Sequence, residues 1–270
     1  MPQKLARTNQ SVEKTLQIIE IMANNREPMR LQDIALKVSL PASTVLRMVY
    51  TLMNAGYVNQ DSISQRYSLS LKFAQIGYLV SSQTDIRTLA RPLLIALSQH
   101  CHEASCLAVD ENMEVVYIDV VEGPDSLLRI MQRIGKRAPM HCTGVGKLML
   151  QEYSATQLDK YIAVKGLPAT TPNTLVTKES LVKELEKIGQ QGFAIDDEEC
   201  ELGARCLAAP VRDYSGKIIA GISVSGPISR MTPQKITHYI PIIMQTAQDI
   251  SALLAYSGPS EKQIITTSPL

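Results

Sequence analysis

Three parts of the chain hold residues whose types and spacing suit chemistry. His141-Cys142-Thr143 runs directly into Gly144-Val145-Gly146, where the apolar pattern starts a helix. Free backbone N–H groups at such a start attract an anion, and glycine permits close approach. Ser223 and Ser225 lie two apart in a predicted strand, so both hydroxyls face one side. Asp196 and Cys206 fall on neighbouring predicted strands. An anion buried among these groups would need several donors at once. The plain alternative is that Ser223, Ser225 and Cys206 are ordinary small core residues. Nearer the N-terminus, Ser43, Thr44 and Arg47 stand at i, i+1 and i+4 of a predicted helix. Their hydroxyls suit phosphate or base contacts, and Arg47 suits a bidentate contact to guanine or a contact to phosphate. Arg66 suits backbone phosphate better than a base.

Other motifs fall short. Gly146-Lys147 resembles the end of a phosphate loop, but His141 stands where the first glycine is required and Leu148 replaces the hydroxyl residue. His100, Cys101, His102 and Cys106 look like metal ligands. On a helix, however, His100 and His102 point to nearly opposite sides, so no metal is expected. The run Asp196-Asp197-Glu198-Glu199 reads as a solvated loop with only Asp196 inward. A nucleophilic Cys142 or Cys206 would need a base, and His141, adjacent to Cys142, points away from it on an extended chain. Neither a catalytic residue nor a cofactor is expected. A thiol redox sensor stays open as a further reading of the cysteines.

Certain elements must position these groups. Val12, Leu16, Ile19 and Ala23 give one helical face over residues 11–24, and Ile34, Ala35 and Val38 give a second, shorter one. Pro41 suits the first turn of a third helix over 42–54. There Val45, Met48, Val49 and Leu52 point inward, Ser43, Thr44, Arg47 and Thr51 point outward, and Gly56 caps the end. The period then becomes two, with Tyr57-Val58 and Arg66 to Leu69 forming a hairpin. This is the order of a winged helix-turn-helix, whose third helix enters a major groove. Helices over 71–102, broken near Ser81-Ser82-Gln83, make a connector with apolar faces. Beyond Ala104 the chain alternates. Strands are expected at 105–109, 114–121, 193–196, 206–212 and 217–225, with an extended segment at 127–133. Helices are expected from Gly144, after Ser154, over 177–191, and from Thr232 with an interruption near Pro241. Such mixing suggests an α/β sheet domain covered on one or both faces.

Bulk properties narrow the class. A chain of 270 residues that is 45% hydrophobic and 20% charged is neither disordered nor too small for two cores. The polar N-terminus, the absence of a 20-residue apolar run and five unpaired-looking cysteines point to a reduced cytoplasmic protein, away from membranes. Residues 1–72 carry nine basic and five acidic side chains within a chain of net charge +1, so this end is the positive one. Phosphate contact requires that sign.

LPASTVLRMVYTLMNAGYV followed by RYSLSLKF resembles the helix-turn-helix and wing of the IclR (isocitrate lyase regulator) family of bacterial transcription regulators. RIGKRAPMHCTGVGKLML, GFAIDDEECELGARCLAAPVRD and ISVSGPISR resemble its effector domain, so the similarity runs from about Ser11 to Tyr256. The resemblance implies an α+β chain with a winged helix-turn-helix at 1–72 and linker and dimerisation helices at 73–103. A GAF-like effector domain follows at 104–256, with a flexible tail at 257–270. It further implies a repressor that binds palindromic operator DNA as a homodimer or dimer of dimers, controlled by a small organic acid of a catabolic pathway. Matching positions imply that Gly144, Val145, Asp196, Cys206, Ser223 and Ser225 surround the acid. Ile130, Ala138 and Ala204 would form an apolar wall, the two alanines leaving room for a larger acid. Three departures concern the DNA-binding end. Ser39 stands where glycine is common, Ala42 where a basic residue is common, and the wing has no glycine.

Overall fold

A computed structural model describes residues 8–83, 85–123 and 133–258. The chain divides into two compact units, Met1–Thr84 and Asp85–Leu270. Ile130, most of the extended segment expected at 127–133 and nearly all of the expected tail lie outside the described residues.

In the first unit, α1 (Gln10–Ala23) starts at Asn9, whose side chain accepts from Ser11 N–H at 3.0 Å. Its buried face differs from the expected one. Ile18 and Met22 are buried, whereas Val12 and Leu16 are each 54% exposed. Ile18, Ile19, Ile21 and Met22 are all apolar, so helical period alone cannot choose the inward face; packing against the neighbouring elements does. α2 (Leu31–Val38) buries Ile34, Ala35 and Val38 as expected. α3 (Ala42–Asn54) buries Val45, Val49 and Leu52, with Pro41 at the N-cap rather than inside the first turn. Gly56 follows at φ +78°, where a glycine costs least. Its N–H bonds Met53 O, and Tyr57 N–H bonds Leu52 O, both at 2.8 Å. That pair of bonds closes the helix as a Schellman motif.

The hairpin pairs β1 (Val58–Gln60) with antiparallel β2 (Tyr67–Leu69), Val58 opposite Leu69. Asp61 shapes its bend by accepting Ser64 N–H at 2.6 Å, and Gln65 takes the positive φ of 55° that a wing glycine would otherwise supply. Tyr67 is tied to Met29 by reciprocal backbone bonds of 2.8 and 2.9 Å, which fixes the wing to the strand-like entry of α2. α4 (Lys72–Gln83) completes the unit.

The second unit begins with α5 (Ile86–Cys101), capped by Asp85. Strands β3 (Ala104–Asp110), β4 (Val115–Val121) and β5 (Arg137–Ala138) follow. Next come α6 (Gly144–Leu150), α7 (Ala155–Lys165) and α8 (Lys178–Gln191), then β6 (Ala194–Asp197), β7 (Ala204–Arg212), β8 (Ile218–Pro227) and α9 (Pro233–Leu253). Among the described residues these strands form one antiparallel sheet in the order β5-β4-β3-β8-β7-β6. Leu107, Leu207, Ile222 and Val224 pack on the α5 and α9 side, and Cys106, Ala108, Ala194 and Ala208 pack on the α6, α7 and α8 side. Ser154 and Gln157 form the expected capping box of α7. The expected interruption at Pro241 does not occur, because α9 runs through it. Tyr239 and Ile243, buried on either side, hold the helix together although Pro241 withholds one N–H.

Candidate functional site

The N-terminal candidates sit on one exposed face. Ser43 and Arg47 are exposed on α3, and Thr44 is partly so. Thr51, one turn on, is exposed as expected and bonds its hydroxyl back along the helix to Arg47 O at 2.9 Å. Arg66, just before β2, is half-buried and donates to Pro28 O at 3.3 Å. One of its five N–H groups therefore anchors the chain entering α2. Ser39, between α2 and α3, adopts φ 56°, ψ 46°. This left-handed geometry is what the more usual glycine serves at that turn.

In the second unit the sheet aligns the polar candidates. Asp196 on β6 lies opposite Cys206 on β7, and Cys206 lies opposite Ser225 on β8. In the adjoining row, Ala194, Ala208, Ser223 and Cys106 are successive partners. Directly paired residues share a face, so both rows turn toward α6. Ala204 extends the same side of β7 and is 7% exposed. Ala138 is also buried on this side but lies on β5, three strands from β8, where it meets Val115 rather than the serines.

Both serines are nearly inaccessible, Ser223 at 3% and Ser225 at 2%. Each hydroxyl lies beside a thiol whose pKa it lowers, Ser223 beside Cys106 and Ser225 beside Cys206. Sulfur is a weak acceptor, so each hydroxyl is free to turn to a carboxylate oxygen at little loss. Burial pushes the Cys106 thiol up to about 12 and Cys206 well above its usual range. Cys206 keeps part of its surface accessible.

The start of α6 lies over these rows. Thr143 caps it, its hydroxyl accepting Gly146 N–H at 3.3 Å and donating to Pro139 O at 2.8 Å. The N–H groups of Gly144 and Val145 then belong to the first turn, which has no acceptor within the helix. The glycines have a packing cause that the sequence did not reveal. A Cβ on Gly144 would stand 3.0 Å from Ala208 Cβ, and one on Gly146 would stand 2.4 Å from the Met140 backbone. Gly144 therefore lets the helix rest on the sheet.

Asp196 has a structural duty as well. Its Oδ1 accepts Glu199 N–H at 2.9 Å and Cys200 N–H at 3.2 Å, forming the turn after β6. Burial raises its carboxyl to about 7 in spite of those two bonds. Glu199 corrects the reading of the acidic run, because it is buried alongside Asp196. Lys147, wholly buried on α6, is the reason. Its ammonium donates to Glu199 Oε1 and to Ile195 O at 2.6 Å, with Glu184 Oε1 at 3.5 Å. A buried ammonium requires a carboxylate and a filled set of acceptors. Thr170 and Thr174 complete the clasp, donating to Glu199 O at 2.8 and 2.7 Å, while Thr171 donates to Glu198 O at 2.6 Å.

Tyr117 was missed as a site residue. It is buried on the α6 side, its phenol close to Cys106, Cys200, Cys206 and Asp196, and burial raises it well above its usual range. Asp119, two residues on, lies on the opposite face and pairs with Arg91 of α5 at 2.5 Å. A bulge opposite Leu107 and Ala108 inserts one residue between them and reverses the alternation. His141 is buried too, its ring held by Tyr161 Oη at 3.3 Å and Pro168 O at 3.1 Å. Those contacts, with its pKa lowered by burial, make it a fixed strut of the turn before α6. Among the described residues no cluster of three or more His, Cys, Asp or Glu is placed to hold a metal ion.

Known proteins give a consistent picture. The family profile described as "Bacterial transcriptional regulator IclR C-terminal" matches residues 78–252, and the "IclR helix-turn-helix domain" matches residues 11–62. The HTH-type transcriptional regulator XynR of Escherichia coli K12 is 31% identical over 247 residues, covering 92% of this chain and 98% of its own. The transcriptional repressor IclR of the same organism is 32% identical over 251 residues, covering 92% and 90%. The crystal structure of Thermotoga maritima IclR aligns with a TM-score of 0.61 at 30% identity, covering 91% of this chain and 99% of that one.

Proposed function

The chain belongs to the IclR family of transcription regulators, and on that premise we propose that it is a repressor whose hold on DNA is set by an organic acid bound in the second unit. As a member it is a DNA-binding regulator rather than an enzyme. The recognition surface is the exposed side of α3, with Ser43, Thr44 and Arg47 toward base edges and phosphates and Arg66 toward backbone.

The observation that carries the effector reading is the row Asp196–Cys206–Ser225 with Ser223 beside it, facing the first turn of α6. The acid's carboxylate would meet the Gly144 and Val145 N–H groups. Its second polar group would meet the two serines and Asp196. Because Asp196 titrates near 7, it can present a proton to the acid instead of a repelling charge. Ala204 supports the reading as apolar wall at the same end of the sheet. Ala138, three strands away, suits an acid long enough to reach β5.

The test is calorimetry with organic acids of graded length on the wild type and on Ser223→Ala with Ser225→Ala. Loss of the hydroxyls is expected to cost about 1–3 kcal/mol, roughly 5- to 150-fold in Kd. Full affinity in the double variant would return both serines to the core. Palindromic operators are read by paired copies, so we infer a homodimer or dimer of dimers, and a monomer mass for the full chain in solution would refute it. The cytoplasm is the compartment such a regulator needs. Among the described residues no helix is long and apolar enough to cross a membrane.

A further inference from the structure

Among the five cysteines, two meet in an arrangement that neither the DNA surface nor the effector row uses. Cys142 lies in the turn before α6 and is fully buried, whereas Cys200, in the loop between β6 and β7, keeps part of its surface accessible. Each thiol shifts the other's titration, Cys142 upward and Cys200 downward, as groups held side by side do. The backbone frame brings the two turns together independently of the thiols. Cys200 N–H is held by Asp196 Oδ1 at 3.2 Å. Its preceding carbonyl, Glu199 O, accepts the hydroxyls of Thr170 and Thr174, and Pro168 O, two residues before Thr170, is bonded at 3.1 Å to the ring of His141, the neighbour of Cys142. On the next turn of α6, Lys147 fastens the helix to Glu199 and to Ile195 O.

We propose that Cys142 and Cys200 are an oxidisable dithiol, converted by a hydroperoxide into a disulfide that ties the turn before α6 to the β6–β7 loop. Cys200 is the attacking sulfur. It is the accessible member, and Cys142 beside it lowers its pKa, which enriches the reactive thiolate. Cys142, raised by Cys200 and by burial, is the resolving thiol. In the first step Cys200 sulfur attacks a peroxide oxygen, the O–O bond breaks, and one water leaves with a sulfenic acid on Cys200. In the second, Cys142 gives up its proton and attacks that sulfur, forming the S–S bond as the S–O bond breaks and a second water leaves. Two thiols lose two electrons and two protons, and hydrogen peroxide becomes two waters.

The remaining cysteines do not share this arrangement. Cys106 and Cys206 each lie beside a serine and are raised by burial, and Cys101 is buried at the end of α5. The disulfide joins two walls of the proposed effector site, but its formation does not depend on that reading.

The experiment exposes reduced full-length protein to hydrogen peroxide, then denatures it, alkylates the free thiols and maps the peptides by mass. The expected result is a fall from five free thiols to three, one cross-linked peptide joining Cys142 to Cys200, and full reversal by dithiothreitol. The Cys200→Ser variant should keep its four thiols under the same treatment. Five thiols surviving in the wild type, a cross-link between any other pair, or Cys200 passing to sulfinic acid while Cys142 stays reduced would each overturn the proposal.

Discussion

In the N-terminal unit Ser43 and Arg47 stand in solvent on α3, whereas Asp196, Ser223 and Ser225 in the second unit are 4%, 3% and 2% exposed. The first set is held only by the helix that carries it. The second is enclosed by its surroundings, the hydroxyls beside thiols and the carboxylate bonded to backbone. Exposed groups await a partner whose charge and shape supply the binding energy. Buried ones must be satisfied before any ligand arrives, so a ligand has to exchange bonds rather than add them. Substitutions in the exposed set should therefore alter binding and leave stability alone, while those in the buried set should alter both.

The largest test of this contrast is Lys147→Met. It leaves Glu199 buried beside Glu184 without its cation, and breaking such a pair from one side costs about 3–5 kcal/mol. Denaturant unfolding should show that loss, and a change below 1 kcal/mol would mean that the α6 clasp is not what holds the β6–β7 loop.

Arg47→Ala is the opposite case. Operator affinity should fall by about 1–3 kcal/mol with Tm unchanged, measured by mobility shift and thermal melting. Unchanged affinity across a salt titration would remove Arg47 from the recognition surface.

The contrast also has a pH signature. Burial raises Asp196 to about 7, so between pH 4 and 7 the folded chain keeps a proton that the unfolded chain releases. Stability from this group is thus fully present below about pH 4 and is lost as pH rises through 7. The slope approaches about 1.4 kcal/mol per pH unit. Asp196→Asn should flatten the pH dependence of unfolding across this window, with Glu199, raised in the same direction, keeping part of it. An identical slope in the variant would locate the buried proton elsewhere.

The smallest effect belongs to Ser39. Ser39→Gly should relieve the left-handed turn by about 1–2 kcal/mol and give back roughly half of that as unfolded-state entropy. A net gain of about 0.5–1 kcal/mol in stability, with operator affinity unaltered, is expected. A loss of stability would show that the serine side chain supports the turn.

Local signals carried much of this protein. The stripe Val45, Val49 and Leu52, the Gly56 stop, the Ser154–Gln157 box and the spacing of Ser223 and Ser225 all rest on contacts within a few residues, so period and capping chemistry suffice to read them. Family likeness located Asp196 and Cys206, and strand register set them opposite one another. Other features were decided only by distant parts of the chain meeting. Four near-consecutive apolar residues made the inward face of α1 ambiguous. A bulge in β4 sent Tyr117 and Asp119 to opposite faces where a period of two would unite them. Packing carried α9 through Pro241. Glu199 came inward because Lys147, 52 residues away, needed a carboxylate, and Cys142 met Cys200 because the clasp around that ion pair draws their two turns together. The sequence by itself determined the elements and the family, since those depend on short-range order. The partners of buried charges and thiols were decided by the tertiary structure, since burial makes each such group dependent on whatever the fold brings against it.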